Sequence, residues 1–425
     1  MSVTSASPLS KDALVALPAT ATDAWTEQRA KARQALLKNG LPAARSEEYR
    51  FTPVLRSLEK KFSPRQLAGY SEGTSLPALD AHLIPGFDAY RLVFINGAFD
   101  ATRSTDLSGI PGITIQPLFN DRPMLNLADV EADAFTALNT GFGTHGLAIE
   151  VAPGTRLAKP LLVWHGQKSD SPAAFHTRLQ IKLGAASEAT LVEKFDTEGS
   201  GDVFHTFVEE IEVGEQAKLQ YCKIQNDAGQ VTQIANTVIR QADSSRIDTF
   251  TFTFDGKLVR NNFQIVIDGE NCESHFFGLY LVKGNTLVDN HTVVDHKKPN
   301  SFSNEMYKGV MDGQSKGVFN GKIFVRPHAQ KTNAFQSNRN ILLSDTATVN
   351  TKPQLEIWAD DVKCSHGCTS GQLDEEAMFY LQSRGISKSA ARAMLLYAFA
   401  GEVIQPLFDE TLKHYIDQLV SQKLH

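Results

Sequence analysis

Four segments of the chain share one outline, a short apolar strand followed by a polar or glycine-containing turn and a second strand. They begin at Ile181, Ile211, Val238 and Ile265, so successive units are spaced by 30, 27 and 27 residues. Repeats of roughly 20 to 50 residues, with no helix between the strands, are typical of solenoids, in which each coil buries its inward side chains against its neighbours. The repeat therefore predicts a parallel β-solenoid.

The residues around this repeat also favour a mainly β fold. Between about residues 91 and 358, β-branched and aromatic residues gather in short runs that are bounded by Gly, Asp, Asn and Ser. A β-sandwich would supply many strands and turns as well, so it is the alternative fold. The repeated strand–turn–strand unit favours the solenoid.

The two ends of the chain have helical patterns instead. Residues 22–37 carry apolar side chains at helical spacing, and residues 45–51 are typical of a turn or short helix. Residues 64–87 are rich in Gly, Ser and Pro, which is typical of a linker. Beyond Gly371, apolar residues return to helical spacing and predict three helices, at residues 373–384, 389–404 and 406–420.

These patterns divide the chain into three parts. The predicted domains are an N-terminal helical region with a linker at residues 1–90, a parallel β-helix core at residues 91–370 and a C-terminal helical domain at residues 371–425.

Charge and cysteine content limit the possible partners and the compartment. A net charge of -6 and a pI near 6.1 argue against nucleic acid, because phosphate binding requires a basic face. Four cysteines are too few for a disulfide framework in 425 residues, which favours a reducing compartment. The first 25 residues lack the features of an export signal, and no apolar run approaches the roughly 20 residues of a membrane span. We expect a cytoplasmic protein with protein or small-molecule partners and no membrane contact.

Several catalytic motifs are absent from the sequence or stand in the wrong context. The stretch at residues 141–146 satisfies G-x-G-x-x-G, but a helix is predicted before it and a strand after it, the reverse of a dinucleotide-binding unit. The P-loop and H-E-x-x-H patterns do not occur, and G-x-S-x-G occurs at residues 313–317 inside a strand–turn–strand unit, not between a strand and a helix as a nucleophile elbow requires. Any ATP hydrolysis is therefore expected of a partner protein.

Two pairs of residues in the stretch at residues 289–296 leave other functions open. His291 and His296 could converge on a metal ion, although isolated histidines on strands usually make ordinary hydrogen bonds. Asp289 and Asp295 are candidates for the paired carboxyl groups of a β-helix enzyme that acts on carbohydrate, which is an alternative function.

The strongest candidate site is Lys363-Cys364-Ser365-His366-Gly367-Cys368. If the preceding strand continues in extended form, Cys364, His366 and Cys368 share one face. Thiolate and imidazole both suit soft metals and iron–sulfur clusters. Three ligands are fewer than the four of a closed structural zinc site, so the segment predicts half of a site, open to a partner or to a transient cluster. The alternative is a pair of small buried cysteines at a loop edge.

Four stretches of the sequence are similar to the SufB/SufD family of the SUF iron–sulfur cluster assembly system, and particularly to its SufD branch. They are SEEYRFT at residues 46–52, the stretch at 294–325, AQKTNAFQSNRNILLS at 329–344 and the stretch at 359–387. The resemblance covers nearly the whole chain. It implies a right-handed parallel β-helix between helical regions.

The resemblance also implies a function. Members of the family act as scaffold subunits without catalytic activity, together with a SufB-like subunit and the ATPase SufC. The resemblance implies that SufC docks on the C-terminal helices and that SufB pairs with the last β-helix strands. A homodimer can form when SufB is absent. The chain alone would bind no stable cofactor, and an iron–sulfur cluster would be held transiently in the complex.

The same resemblance assigns Cys364 and His366 to the subunit interface, as candidate ligands of the transient cluster. Cys368 departs from the family pattern, which has a small residue such as alanine there, so the resemblance does not extend to this thiol. A SufB-like paralogue is the closest alternative assignment. SufB is usually longer and carries its own cluster-binding cysteines, and the KCSHG motif favours the SufD branch.

Overall fold

The computed structural model describes residues 23–43, 46–70, 73–119, 124–227 and 230–424, together with residues 9, 13, 14, 16 and 17. Thr22, where the first helix is predicted to begin, and Arg45, in the predicted turn, lie outside the described residues.

Within the described residues, nineteen strands occupy the middle of the chain. Their bounds are β1 Tyr90–Ile95, β2 Ala98–Phe99, β3 Ile113–Pro117, β4 His145–Val151, β5 Leu161–Lys168, β6 Ala173–Leu183, β7 Glu188–Glu198, β8 Val203–Val213, β9 Lys218–Asn226, β10 Val231–Gln241, β11 Arg246–Asp255, β12 Leu258–Ile267, β13 Glu273–Val282, β14 Leu287–His296, β15 Phe302–Met311, β16 Lys316–Val325, β17 Thr332–Leu342, β18 Thr348–Ile357 and β19 Val362–Gly371.

The strands form two sheets that face each other. One sheet has the order β2-β1-β5-β7-β9-β11-β13-β15-β17-β19, and the other has the order β3-β4-β6-β8-β10-β12-β14-β16-β18. Successive strands from β4 onward alternate between the sheets, and each pairs in parallel with the strand two places further along the chain. The result is a solenoid of eight two-strand coils, which confirms the predicted parallel β-helix. Its right-handedness stays a prediction.

The repeat seen in the sequence corresponds to one stack of side chains in the solenoid, with one correction. Ile181 pairs with Ile211, and Ile239 pairs with both Ile211 and Ile265. The third unit is therefore one residue later than predicted. Side chains alternate between the faces of a strand, so Val238 points outward while Ile239 joins the interior.

Tight turns at equivalent places allow the coils to stack. One turn per coil holds a residue in the left-handed region, for example Ala186 at φ 55° and Gln216 at φ 57°. Asn271 and Asn300 hold this conformation at the same turn of later coils, and Gly284 holds it at the opposite turn. Asn and Gly adopt it at low cost, which explains the recurrence of these residues between the strands.

Eight α-helices in the described residues flank the solenoid. Their bounds are α1 Thr26–Asn39, α2 Val54–Glu59, α3 Pro64–Leu67, α4 Leu79–His82, α5 Ala134–Phe142, α6 Glu375–Ser383, α7 Lys388–Ile404 and α8 Glu410–Leu424, and a 3-10 helix spans Glu47–Tyr49. None of the helices in this part of the chain combines the length and apolar character needed to cross a membrane.

The helices differ from the sequence predictions at two places. The predicted linker at residues 64–87 contains α3 and α4, and a capping box between Ser63 and Gln66 starts α3. The third C-terminal helix begins at Glu410 and not at Pro406, because the Asp409 side chain caps its first turn. The G-x-G-x-x-G stretch leads from α5 into β4, in the predicted helix-to-strand order. The division of the chain at residues 90 and 370 stays a prediction.

The two helical regions cover outer faces of different sheets. N-terminal helices pack on outward residues of β6, β8, β10 and β12, including Ala174 and Phe204. C-terminal helices pack on outward residues of β7, β9 and β11, including Val192, Cys222 and Phe250. Both regions therefore cover the solenoid along its length.

The SEEYR stretch ties the N-terminal region to the last coils. Lys352 Nζ lies 2.6 Å from Glu47 Oε1, and Lys322 Nζ lies 2.7 Å from Glu48 Oε1. The Arg260 guanidinium lies 3.9 Å from the centre of the Tyr49 ring. The side chains of His291 and Lys322 lower the pKa of Glu48 to about 2. These contacts cross from β12 to β18, next to the last strand.

Candidate functional site

Cys364, His366 and Cys368 lie on β19, the last strand of the solenoid. The strand before them does not continue as predicted, because β18 ends at Ile357 and a turn separates it from β19. Alternation along β19 nevertheless places the three side chains on one face. Cys364 packs against the interior core, and Thr351 on β18 donates to Cys368 Sγ at 3.4 Å. The shared face is therefore the interior face, at the open end of the solenoid.

The three side chains differ in exposure. Cys364 is half-buried, whereas His366 and Cys368 are exposed. Burial raises the pKa of the Cys364 thiol, and a backbone hydrogen bond with Ala334 partly opposes this rise. Cys364 is therefore largely a thiol at neutral pH, and binding a soft metal would require its proton to leave.

The geometry of a strand limits what these residues can bind alone. Cα atoms at i and i+4 lie about 13 Å apart, whereas a zinc–thiolate bond is about 2.3 Å long. Cys364 and Cys368 therefore cannot bind the same ion. In the part of the chain that the structure describes, no group of three or more His, Cys, Asp or Glu side chains is arranged to hold a metal. Neighbouring donors on β19 could supply part of a ligand set, and the rest must come from elsewhere.

Buried amides lie directly beneath these residues on β17. Gln336 is in register with His366, and Asn338 is in register with Cys368. Asn340 donates to Asn338 at 2.7 Å, and the Tyr280 hydroxyl donates to Asn340 at 2.5 Å. Sequence reasoning missed this layer, although polar residues at alternating positions of an apolar strand were a signal for it.

The second candidate pair does not converge. His296 points into the solenoid, where it lies 2.9 Å from Ser303 Oγ. His291 is on the opposite face of β14 and lies 3.0 Å from Asp289. An odd spacing places two residues of a strand on opposite faces, so His291 and His296 cannot share a metal ion.

The open end also exposes strand edges and apolar side chains. Within the described residues, β18 and β19 are the outermost strands of their sheets, and most of their residues are exposed or half-buried. Ile357 is 40 % exposed and Trp358 is 48 % exposed. An uncovered strand edge is a template for pairing with another chain.

The C-terminal helices present a second apolar surface, formed by Phe379, Tyr380, Met394 and Tyr397, all of them exposed. The buried Lys308 on β15 anchors α7, because its Nζ lies 2.8 Å from Glu402 and donates to the carbonyl of Phe399 at 3.0 Å. The helices are thus fixed to the solenoid while this surface faces solvent.

Comparison with known proteins identifies the family of this chain. Residues 165–399 match the family model "SUF system FeS cluster assembly, SufBD core domain", and residues 8–163 match "SufBD protein N-terminal region". A parallel β-helix with an open last coil, flanked by helices, is thus the body of an iron–sulfur cluster assembly protein. The chain belongs to the SufBD family.

Similarity to individual members is extensive. The chain is 33 % identical to "Iron-sulfur cluster assembly protein SufD" of Escherichia coli, over 92 % of this chain and 91 % of that protein. It is 31 % identical to the SufBD family protein slr0076 of Synechocystis, over 90 % of this chain and 87 % of the relative. Protein ABCI7 of Arabidopsis thaliana is 27 % identical over 89 % of this chain and 81 % of its own length. The chain is therefore SufD-like.

Proposed function

We propose that this chain is a non-enzymatic scaffold subunit of a SufBCD-type complex that assembles iron–sulfur clusters. The observation that carries the proposal is the open last coil, where exposed strand edges meet a thiol and an imidazole on one face. A scaffold needs a surface for its partner and part of a ligand set for its cargo. The end of the solenoid offers both.

The open end is the proposed contact with a SufB-like subunit. Edges of β18 and β19 can extend across to the strands of a partner β-helix, and Ile357 and Trp358 supply apolar area beside them. The same end would pair two copies of this chain when the partner is absent. Isolated chain is therefore expected to form a homodimer, which light scattering would detect.

The iron–sulfur cluster is the product that the complex assembles and holds transiently. Cys364 and His366 would donate to it during assembly, and the partner subunit would supply the remaining ligands, because β19 alone holds too few. Cys368 lies on the same face but further along the strand, so we assign it a smaller contribution.

The apolar surface of α6 and α7 is the proposed docking site of the SufC ATPase. Large side chains are exposed there on helices that are anchored to the solenoid. Hydrolysis of ATP would thus occur in the partner, since the sequence lacks a P-loop.

The ligand role is tested by anaerobic co-purification with SufB and SufC, followed by spectroscopy of bound iron and sulfide. His366→Ala is expected to lower cluster formation at least several-fold without dissociating the complex. Ser365→Ala is the matched control, since its side chain is on the opposite face of β19. Equal cluster loading in His366→Ala and Ser365→Ala would refute the role of this histidine.

The two docking surfaces are tested by placing a charge on each. Ile357→Asp is expected to release the SufB-like subunit but retain SufC, and Phe379→Asp is expected to do the reverse. Phe51→Asp and Leu76→Asp are the controls, because these residues are exposed to a similar extent in the N-terminal region. Pull-down of each variant with both partners distinguishes the two surfaces, and loss of both partners in the controls would contradict the assignment.

A further inference from the structure

A column of three side chains runs from the interior of the solenoid to the open end. Glu305 on β15, Gln336 on β17 and His366 on β19 are in register, and all three point inward. Gln336 Nε2 donates to Glu305 Oε2 at 2.7 Å. Glu305 and Gln336 are buried, whereas His366 is exposed. The column therefore connects a buried carboxyl group to the ring of the candidate ligand.

The conformation of the Gln336 amide is fixed from two sides. Its nitrogen is held by Glu305, and its body lies against Gly321 on β16 of the facing sheet. A Cβ at residue 321 would overlap the Gln336 amide, so the glycine provides the space that this side chain occupies. The amide oxygen is thereby oriented independently of His366.

The oxygen of this amide lacks a partner. Gln336 Oε1 is buried, and no other group in the described residues donates to it. A buried acceptor without a donor is unfavourable, so a neighbouring N–H would be drawn to it. The imidazole of His366, in register with Gln336 on the next strand, carries such a donor.

A hydrogen bond of this kind would determine which ring nitrogen of His366 carries the proton. Neutral imidazole has one N–H and one lone pair, and a bond from the N–H to an acceptor fixes the tautomer. Histidines that bind metals usually donate their other N–H to a carbonyl or a carboxylate. The second nitrogen of His366 would then present its lone pair to the open end.

We propose that Gln336, held by Glu305 and accommodated by Gly321, is a positioning residue that accepts the ring N–H of His366 and fixes its tautomer. The importance of this arrangement for cluster assembly rests on the proposed function. The hydrogen bond itself does not, and it can be measured in the chain alone.

Nitrogen-15 NMR of the chain labelled at histidine reports the tautomer, with His366→Ala used to assign the signal. One tautomer is expected to dominate in the wild type and in Gln336→Glu, which keeps an acceptor oxygen. Gln336→Leu and Gly321→Ala are expected to give the mixture of an unconstrained imidazole. Gln354→Leu is the matched control, the same substitution on the outward face of β18, and it should leave the signal unchanged. The same tautomer ratio in wild type, Gln336→Leu and Gly321→Ala overturns the proposal.

Cluster formation in the complex with SufB and SufC is the second measurement. Gln336→Leu is expected to reduce it several-fold, and Gln336→Glu is expected to restore most of it. If His366→Ala leaves cluster formation intact, the proposed function fails while the tautomer result stands. If the tautomer ratio does not depend on Gln336 but His366→Ala lowers cluster formation, the positioning role of Gln336 fails and the proposed function stands.

Discussion

At its first end the solenoid is closed by short strands, whereas at its last end two strands lie uncovered. At the first end, β2 pairs antiparallel with β1 and β3 pairs antiparallel with β4, so neither sheet presents a parallel strand edge there. At the last end, β18 and β19 are the outermost strands of the described residues. Proteins normally protect such edges against association. Protection of only one end supports the proposal that the other end contacts a partner.

The interiors of the two ends also differ, because polar side chains are enclosed near the first end and lie close to the surface near the last end. Near the first end, polar groups are sealed among aromatic rings. His165 stacks on Phe195 with ring centres 4.4 Å apart, and burial lowers its pKa to about 3, so it stays neutral. Near the last end, the amides of Gln336 and Asn338 lie just beneath exposed residues. The interior polar groups of the first end are shut off from solvent, while those of the last end lie next to exposed residues.

The sealed interior contains two carboxyl groups that share one phenol. The Tyr221 hydroxyl lies 2.6 Å from Glu193 Oε2 and 2.9 Å from Glu209 Oε2. Tyrosine has one proton to donate, so one carboxyl must be protonated to donate to the phenol oxygen. Lys223 Nζ is 3.6 Å from Glu193 and 4.0 Å from Glu209. The proton therefore belongs on Glu209, and the charge on Glu193.

The largest predicted effect is the removal of the buried cation. Lys223→Met leaves the Glu193 carboxylate without its counter-charge, and breaking a buried pair from one side costs about 3 to 5 kcal/mol. Urea unfolding followed by circular dichroism measures the loss. Lys218→Met on the same strand is the control, because its side chain is 57 % exposed. A cost below about 1 kcal/mol for Lys223→Met would mean that the first end is not sealed.

A matched pair of leucines compares the two ends directly. Leu191 on β7 is buried in the core, whereas Leu355 on β18 is only partly buried against the same core. We expect Leu191→Ala to cost about 2 to 5 kcal/mol and Leu355→Ala less than about 1 kcal/mol in the monomeric chain, measured by urea unfolding at concentrations too low for the proposed homodimer. In the complex with a SufB-like partner, Leu355→Ala should become costly. Equal costs in the free chain would contradict the open end.

The solenoid could be predicted because its signal is local and repeated. Stacked coils require the same inward positions in each unit, so Ile181, Ile211 and Ile265 recur in the sequence at nearly constant spacing. The one-residue error at Val238 arose because both Val238 and Ile239 are apolar, and composition alone does not tell which one points inward. Residues 64–87 appeared as a linker because α3 and α4 are too short to show a helical period.

The candidate site could be predicted only in part. Cys364, His366 and Cys368 are neighbours in sequence, so their common face follows from strand geometry. Gln336 and Glu305 join them through pairing between coils about 30 residues apart, and only the register reveals that contact. The sequence likewise does not show that the side chains of His291 and His296 point to opposite faces of a sheet. That conclusion requires both residues to lie on one strand, which the structure shows.

A smaller effect, of opposite sign, is expected at the protonated carboxyl. Burial raises the pKa of Glu209, and the charge of Glu193 acts in the same direction. Unfolded glutamate ionises near pH 4.3, so the folded state loses stability as the pH rises from there towards the raised pKa. Glu209→Gln mimics the protonated form and should raise the free energy of unfolding by about 1 kcal/mol at pH 8, and by less at pH 5. Destabilisation at both pH values would place the proton elsewhere.

The smallest effect concerns His82, through which α4 covers the first coils. Its Nδ1 lies 3.3 Å from Asp196 and its Nε2 lies 3.0 Å from Glu198, and Lys194 pairs with Asp196 as well. Hydrogen bonding to Asp196 raises the pKa of His82, and burial opposes this only in part. A group whose pKa rises on folding stabilises the fold fully below its unfolded pKa, about 6.5, and loses that contribution as the pH rises through the folded pKa.

We therefore expect His82→Gln to destabilise the chain at pH 6 by a few tenths of a kcal/mol to about 1 kcal/mol, because the imidazolium is partly exposed. The difference from wild type should shrink between pH 6 and pH 9. Urea unfolding at several pH values measures this trend. A difference that grows with pH would show that His82 is bound in its neutral form, and closure of the first end would then depend on the apolar contacts of α4 instead of its ion pairs.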